Sequence, residues 1–382
     1  MSAQKYKVQN TDNIVATGYV SSPDKGLMII VGFLSVIGIM MILSAGASKC
    51  AAYGANPGSF AMKQLFWFIM GLFAMGWFAK YNYKNLIKYA VPFAWIVVFF
   101  LILIDFTSLG VTVNGAKRWL AIGPIQFQPS EMTKPAVALL LACAFSQDSF
   151  LFDKEKIKRY FLPIVVMVLL TAMQPNLSMV IIMGLVSLIV YITAGGSIKM
   201  LLTLATAAVT VLAFKIKPYQ MNRIKVWLDP EVDPYGGGYN IIQSLLAFVS
   251  GGFWGVGFGA SRQKLEWLPE AHTDFIYAVI GEEWGFMGCI AIIWLFLWFL
   301  YRGINIAVSC KDMFGKLLAT GLTFSIGSQA FINMSVASSF IPATGVPMPF
   351  ISYGGTSLFV TMCMIGILLN ISKIRIMRTQ DV

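Results

Sequence analysis

The chain has 382 residues, of which 58% are hydrophobic and only 12% charged, with 29 Phe, 21 Met and 10 Trp. A soluble globule of this size cannot hide so much apolar surface, so the composition excludes a soluble enzyme, a disordered protein and a disulfide scaffold. The formal net charge of +11 does not point to nucleic acid, because the basic residues fall in short clusters between apolar runs, the pattern of topology determinants and lipid headgroup contacts.

A membrane-spanning helix needs about 20 mostly apolar residues. In chain order, ten runs qualify: 26–46, 60–79, 89–107, 131–146, 160–174, 176–195, 198–214, 275–300, 315–340 and 353–371. The expected fold is therefore all-α and integral to the membrane, with about ten transmembrane helices. Gln174-Pro175-Asn176 reads as a tight turn between the fifth and sixth. An even count places both termini on one side. The basic clusters at 80–88, 154–159 and 373–378 make that side cytoplasmic. Residues 1–25 and 372–382 are then cytoplasmic tails around one membrane domain, 26–371. No cleavable signal peptide is visible, since the first apolar run begins near Gly26 and is too long for one.

Two extracytoplasmic loops are too long to be linkers: 108–130, and a large one, 215–274, between helices seven and eight. Within the second, Tyr239 through Phe248 reads as an amphipathic or re-entrant helix. Gly251 through Gly259 has G-x-G spacing but no βαβ context, so it reads as a flexible turn. Pro342, Pro347 and Pro349 ahead of Phe350 through Ser357 mark broken backbone, which membranes tolerate where it packs in protein or lines a cavity. Cys50, Cys143, Cys289, Cys310 and Cys363 are scattered and read as packing residues, and the single histidine, His272, excludes a multi-histidine metal site within one chain.

Chemistry can sit at few places. In Gln128-Pro129-Ser130-Glu131-Met132-Thr133-Lys134, Glu131 and Lys134 share a helix face. They form either an interfacial ion pair or a buried pair in an outward cavity; ionisable residues at a membrane edge are functional candidates. In Leu268 through Phe275, either Thr273 or Asp274 could cap the helix that follows, or Asp274 could serve a cavity beside His272. Glu282 and Glu283 lie about 12 Å further along that helix and extend an acidic cluster. Six outward cations surround these groups: Lys117, Arg118, Arg223, Lys225, Arg262 and Lys264. A cationic outer face with a carboxylate suits a phosphate-bearing lipid; ordinary headgroup contact is the plainer alternative.

These residues resemble the SEDS family (shape, elongation, division and sporulation), the FtsW and RodA proteins. The resemblance is carried by Asn114 through Trp119, Phe127 through Glu131, Tyr239 through Leu246, Arg262-Gln263-Lys264, Leu268 through Phe275 and Pro349 through Gly355. Ala278 through Glu283 and Gln329 through Asn333 lean toward the FtsW branch. Two departures stand out: Gln174-Pro175-Asn176-Leu177-Ser178-Met179 lacks the family's acid and glycine, and Ser335 through Phe340 lacks its glycines.

The resemblance implies ten transmembrane helices and polymerisation of lipid II into β-1,4 glycan strands for septal wall synthesis in the bacterial inner membrane. It implies Asp274 as general base and Glu131 with Lys134 as the fourth-helix charge pair. Lys134, Arg118, Lys117 or Arg223 would meet the pyrophosphate, with His272, Thr273 and Gln243 nearby in the substrate site. No cofactor is certain; a divalent cation could share the pyrophosphate. The implied partners are a class B penicillin-binding transpeptidase and other divisome membrane proteins. Two rival functions use the same features: a lipid II flippase, and a non-catalytic scaffold that recruits the transpeptidase.

Overall fold

The computed structural model describes residues 18–20, 22–52, 54, 56–113, 116–122, 125–147, 154–197, 199, 218–265 and 267–376. Six helices of the first half are α1 (Lys25–Ala52), α2 (Ser59–Lys80), α3 (Leu86–Phe106), α4 (Thr133–Phe145), α5 (Lys154–Met173) and α6 (Leu177–Thr193). Two short helices follow, α7 (Pro218–Leu228) and α8 (Tyr239–Gly251), then α9 (Ile276–Ser309), α10 (Met313–Ala337) and α11 (Gly355–Ser372). Nine of the ten expected spans coincide with a described helix; the run 198–214 lies outside the described residues. By length and apolar content, five stretches are able to cross a membrane: Lys25–Ala47, Ser59–Lys80, Tyr83–Phe106, Ile276–Ser309 and Gly355–Ser372.

Burial explains which helices look like spans. On α2 the exposed side chains include Met62, Phe66, Ile69, Met70, Phe73 and Trp77, at helical spacing, and on α9 they include Phe286, Ile290, Trp294, Leu297 and Tyr301. Apolar stripes of that size facing outward fit lipid, not water. By contrast, α10 packs against α4, α6, α9 and α11 and buries Thr323, Ser325, Gln329 and Asn333. Wrapped in protein, it has no need to be apolar, which is why this 25-residue helix falls outside the set of apolar spans. α2 and α11 approach closely: a Cβ at Gly71 would meet Met362, and one at Gly366 would meet the Met75 backbone.

Both described chain ends meet on one face. β1 (Gly18–Val20) pairs antiparallel with β5 (Ile374–Ile376). Asp24 caps α1 by accepting from the Leu27 N–H at 2.8 Å, pairs with Arg302 of α9, and its own N–H donates to Ser372 of α11 at 3.0 Å. Tyr83 lies at the same end, its N–H donating to Asn370 at 3.0 Å and its hydroxyl to Asp312.

The opposite face departs from an all-α reading. β2 (Gly110–Val113), β3 (Ala116–Ile122) and β4 (Ile125–Phe127) form a small antiparallel sheet over the end of α3, with Gly110 opposite Leu120 and Leu120 opposite Phe127. The glycine-rich segment is a turn whose backbone is anchored to α9. α9 breaks at Gly285 (φ 66°), which strips helical partners from nearby backbone groups. Val256 and Gly257 donate to the carbonyls of Glu282 and Glu283, and Phe286 and Met287 donate to those of Gly252 and Phe253. Gly255, at φ +81°, fits because a Cβ there would strike the Glu283 carbonyl. Unsatisfied backbone at membrane depth is costly, and this exchange satisfies it.

Candidate functional site

A short turn places the central carboxylate. The Thr273 and Phe275 N–H groups both donate to the Glu270 carbonyl, at 3.1 and 3.2 Å, and Glu270 itself is left-handed at φ 55°. α9 begins at Ile276 with no side-chain cap, so neither Thr273 nor Asp274 caps it. The Thr273 hydroxyl instead donates to the Glu270 carboxylate at 2.6 Å. Asp274 is left facing a cavity of about 540 Å³.

The other cavity walls come from distant segments. β3 delivers Arg118, whose guanidinium donates to the carbonyls of Gln174 and Pro175 in the α5–α6 turn. α7 delivers Arg223, which donates to the Ala343 carbonyl at 3.0 Å. Asn240 of α8, Glu270 and Tyr353 also line the cavity. Burial, reinforced by the Glu270 charge, pushes the Asp274 carboxyl up to about 7, against the opposing pull of Arg118 and Arg223.

Other expected site residues stand elsewhere. Of the six cations, Arg118 and Arg223 line the cavity. Lys117 points the other way along the strand and donates to the Thr107 carbonyl at 2.8 Å. Lys264 is buried in an ion pair with Glu283 at 2.7 Å and also donates to Ser44 of α1. Lys225 and Arg262 are exposed outside the lining, and the Arg262 N–H donates to Glu282 at 2.9 Å. Glu282 also accepts from Ser261 and the Gln263 N–H. The acidic pair therefore does not extend the Asp274 site; each carboxylate fastens the 261–264 segment to α9.

Glu131 and Lys134 do pair, fully buried, with Nζ 2.5 Å from Oε2. They sit behind the cavity wall, where Lys134 also donates to Gln329 of α10. His272 is buried against the rings of Phe60 and Tyr353, 4.8 and 5.9 Å away, and burial pushes it down to about 4, so it is neutral. Gln243 is half-buried on α8 one turn from Asn240, outside the lining. The departures at 176 and 178 are structurally employed: Asn176 donates to Ser130 at 3.2 Å and Ser178 to the Thr344 carbonyl at 2.9 Å.

A second cavity, about 620 Å³ and almost wholly apolar, runs between α2, α3, α4, α10 and α11, lined by Trp77, Phe93, Leu139, Phe359 and Met364 among others. Among the described residues no group of three or more His, Cys, Asp or Glu side chains could hold a metal ion. In the Asp274 cavity, Glu270 pairs with Lys49 at 3.4 Å and accepts from the Thr273 hydroxyl.

The family described as cell cycle protein, covering FtsW, RodA and SpoVE, matches residues 25–376. The chain belongs to this family. It is 36% identical over 363 residues to a protein of Geobacter sp. (strain M18) named probable peptidoglycan glycosyltransferase FtsW, covering 92% of this chain and 97% of that one. It is 35% identical to stage V sporulation protein E of Bacillus subtilis (strain 168), covering 92% and 98%. Among solved structures, one chain of a peptidoglycan synthase complex matches with a TM-score of 0.74 at 27% identity, covering 92% and 97%. The rod shape determining protein RodA of Thermus thermophilus matches at 0.67 and 25%, covering 92% and 96%. Membership in the FtsW/RodA/SpoVE family and the apolar helices make this a multi-pass membrane protein.

Sequence reasoning missed Glu270, Asn240 and Asn333 of α10. Glu270 and Asn240 lie in motifs already singled out; what was absent is any sequence mark of the turn that aims Glu270 inward. Asn333 is one helical turn from Gln329, and that i, i+4 spacing of two amides was legible.

Proposed function

We propose that the chain is a peptidoglycan glycosyltransferase that polymerises lipid II into β-1,4 glycan strands, working at the division septum of the bacterial cytoplasmic membrane. One observation carries this reading: a carboxylate raised to about 7 faces two arginines across a cavity at one end of a membrane bundle. The names of the relatives, probable peptidoglycan glycosyltransferase FtsW, support it.

In this reading Asp274 takes the proton from the acceptor 4-hydroxyl as that oxygen attacks the donor's anomeric carbon. The bond from that carbon to the undecaprenyl pyrophosphate breaks, and the carbon inverts. A single base with no carboxylate nucleophile fits a one-step displacement. A base whose proton affinity lies near the working pH is the efficient choice, and Glu270 together with burial supplies that tuning. Arg118 and Arg223 meet the departing pyrophosphate, held in advance by the carbonyls of Gln174, Pro175 and Ala343. The apolar cavity along α2 and α3 suits a polyprenyl tail. Lys134 and Glu131 act from behind the wall, and no step is routed through a metal. A class B transpeptidase and other divisome membrane proteins are the proposed partners, consistent with the similarity to a chain of a peptidoglycan synthase complex.

The test is purified full-length chain with lipid II, with and without the transpeptidase, resolved on a gel for glycan strands. Polymer that increases with the partner supports the reading. A wild type that moves lipid II across liposomes but makes no polymer would establish the flippase instead. A chain with neither activity that still recruits the transpeptidase would be a scaffold.

A further inference from the structure

The Asp274 turn and the opposite cavity wall are joined by one side chain. Asn333 Nδ2 donates to the Asp274 carbonyl at 2.8 Å and to the Val346 carbonyl at 2.7 Å. Asn333 is 1% exposed, and its Oδ1 has no hydrogen-bond partner. Both groups facing the amide are acceptors, so its nitrogen must point at them and its oxygen is left over.

Next to Val346, Gly345 sits at φ +67°, and a Cβ there would lie 3.2 Å from Asp274 Oδ2 and 4.0 Å from Arg118. The loop thus approaches the carboxylate as closely as a residue without a side chain permits. One turn earlier on α10, Gln329 Nε2 donates to the Pro347 carbonyl at 2.8 Å while its oxygen accepts from Lys134. Two consecutive carbonyls of the loop, at 346 and 347, are therefore pinned to α10, one of them through the residue that also holds Asp274.

We propose that Asn333 is a positioning residue for Asp274: its amide clamps the 270–275 turn against the 344–347 loop and keeps the carboxylate covered by Gly345, with Gln329 coupling the same loop to the buried Glu131–Lys134 pair. The proposal rests on the reading of Asp274 as the base. The loop covers one side of the carboxyl and limits its contact with water. The charged groups facing it are Glu270 from its own turn, Arg118 from β3 and Arg223 from α7, with Lys49 of α1 engaged on Glu270. Releasing the clamp leaves these charges in place and lets water in, so the carboxyl falls back toward the ordinary aspartate range near 3.9.

The test uses full-length protein in liposomes and two readouts. The first is carbodiimide labelling of Asp274, quantified on the peptide by mass spectrometry across pH; the reagent reacts with protonated carboxyls. The wild-type midpoint is expected near 7. Asn333→Ala is expected to lower it by about one unit or more. Asn333→Ser, small and still able to donate to one carbonyl, is expected to give an intermediate midpoint and serves if the alanine variant does not fold. The second readout is lipid II polymerisation: kcat falls at least about tenfold with KM little changed, and the acid limb of kcat/KM moves with the labelling midpoint. An unmoved midpoint in a folded Asn333 variant overturns the clamp. A midpoint that moves in a protein whose wild type makes no glycan keeps the clamp and removes the proposed activity.

Discussion

Lys134 Nζ lies 2.5 Å from the Glu131 carboxylate with both side chains fully buried, and Gln329 of α10 occupies the ammonium's other side. The pair is a joint between α4 and α10 behind the cavity, and its chemistry is that of a buried charge pair. Removing one partner leaves an uncompensated charge, which costs about 3–5 kcal/mol. Lys134→Met is therefore expected to lower thermal stability sharply, and Glu131→Gln with Lys134→Met to recover much of the loss. A double-mutant cycle on melting temperature and on polymer yield checks this; simple additivity would contradict a functional pair.

Asp274→Asn is expected to abolish polymerisation while folding and transpeptidase co-purification persist. The side chain caps no helix, so the amide costs little structure, whereas loss of a general base costs about 10²–10⁴-fold. Polymer from the variant at matched melting temperature would leave the base unassigned.

The pH profile follows from the raised carboxyl. The reactive form is the carboxylate, so kcat/KM rises as the proton leaves, through about pH 7. Glu270→Gln removes the neighbouring negative charge, which favours the ionised form, and the acid limb is expected to move to lower pH by up to about one unit. Rate measurements from pH 5 to 9 at saturating and limiting lipid II check the direction; a shift upward would mean that Glu270 does not act on Asp274 by charge.

Glu282 gathers the Ser261 hydroxyl and the Arg262 and Gln263 N–H groups on one carboxylate. Glu282→Ala is expected to free this segment at a cost of about 1–3 kcal/mol. Limited trypsinolysis after Arg262, faster in the variant than in the wild type, is the readout.

The sidedness can be read with single cysteines in a background lacking the native five. Lys84 shares the end of the bundle where the described chain ends meet, and Arg262 is exposed near the cavity end. An impermeant thiol reagent on intact cells is expected to label Arg262→Cys and spare Lys84→Cys. The reverse pattern would put Asp274 in the cytoplasm, where the proposed reaction could not run.

Composition and apolar run length determined the architecture by themselves, because a bilayer sets both the length and the polarity of a spanning helix. The α5–α6 turn, the amphipathic α8 and the broken backbone before α11 were legible for the same local reasons: Pro, Gly and helical periodicity act within a few residues. The outer sheet was partly legible, since Asn114-Gly115 between Val113 and Ala116 is a hairpin signal within the stretch read as a long loop. Spacing alone also placed Glu131 and Lys134 on one face. Only the tertiary structure decided what each charge meets. Sequence put Lys264, Glu282 and Glu283 beside Asp274, yet both acids are engaged by the 261–264 segment. It put Lys117 and Arg118 together, yet successive strand residues point to opposite sides, and only Arg118 reaches the cavity. The walls around Asp274 come from β3, α7, α8 and the 343–347 loop, residues spread from position 118 to position 347. Local sequence carries no information about such distances; packing of the central polar helix α10 against its neighbours supplies it.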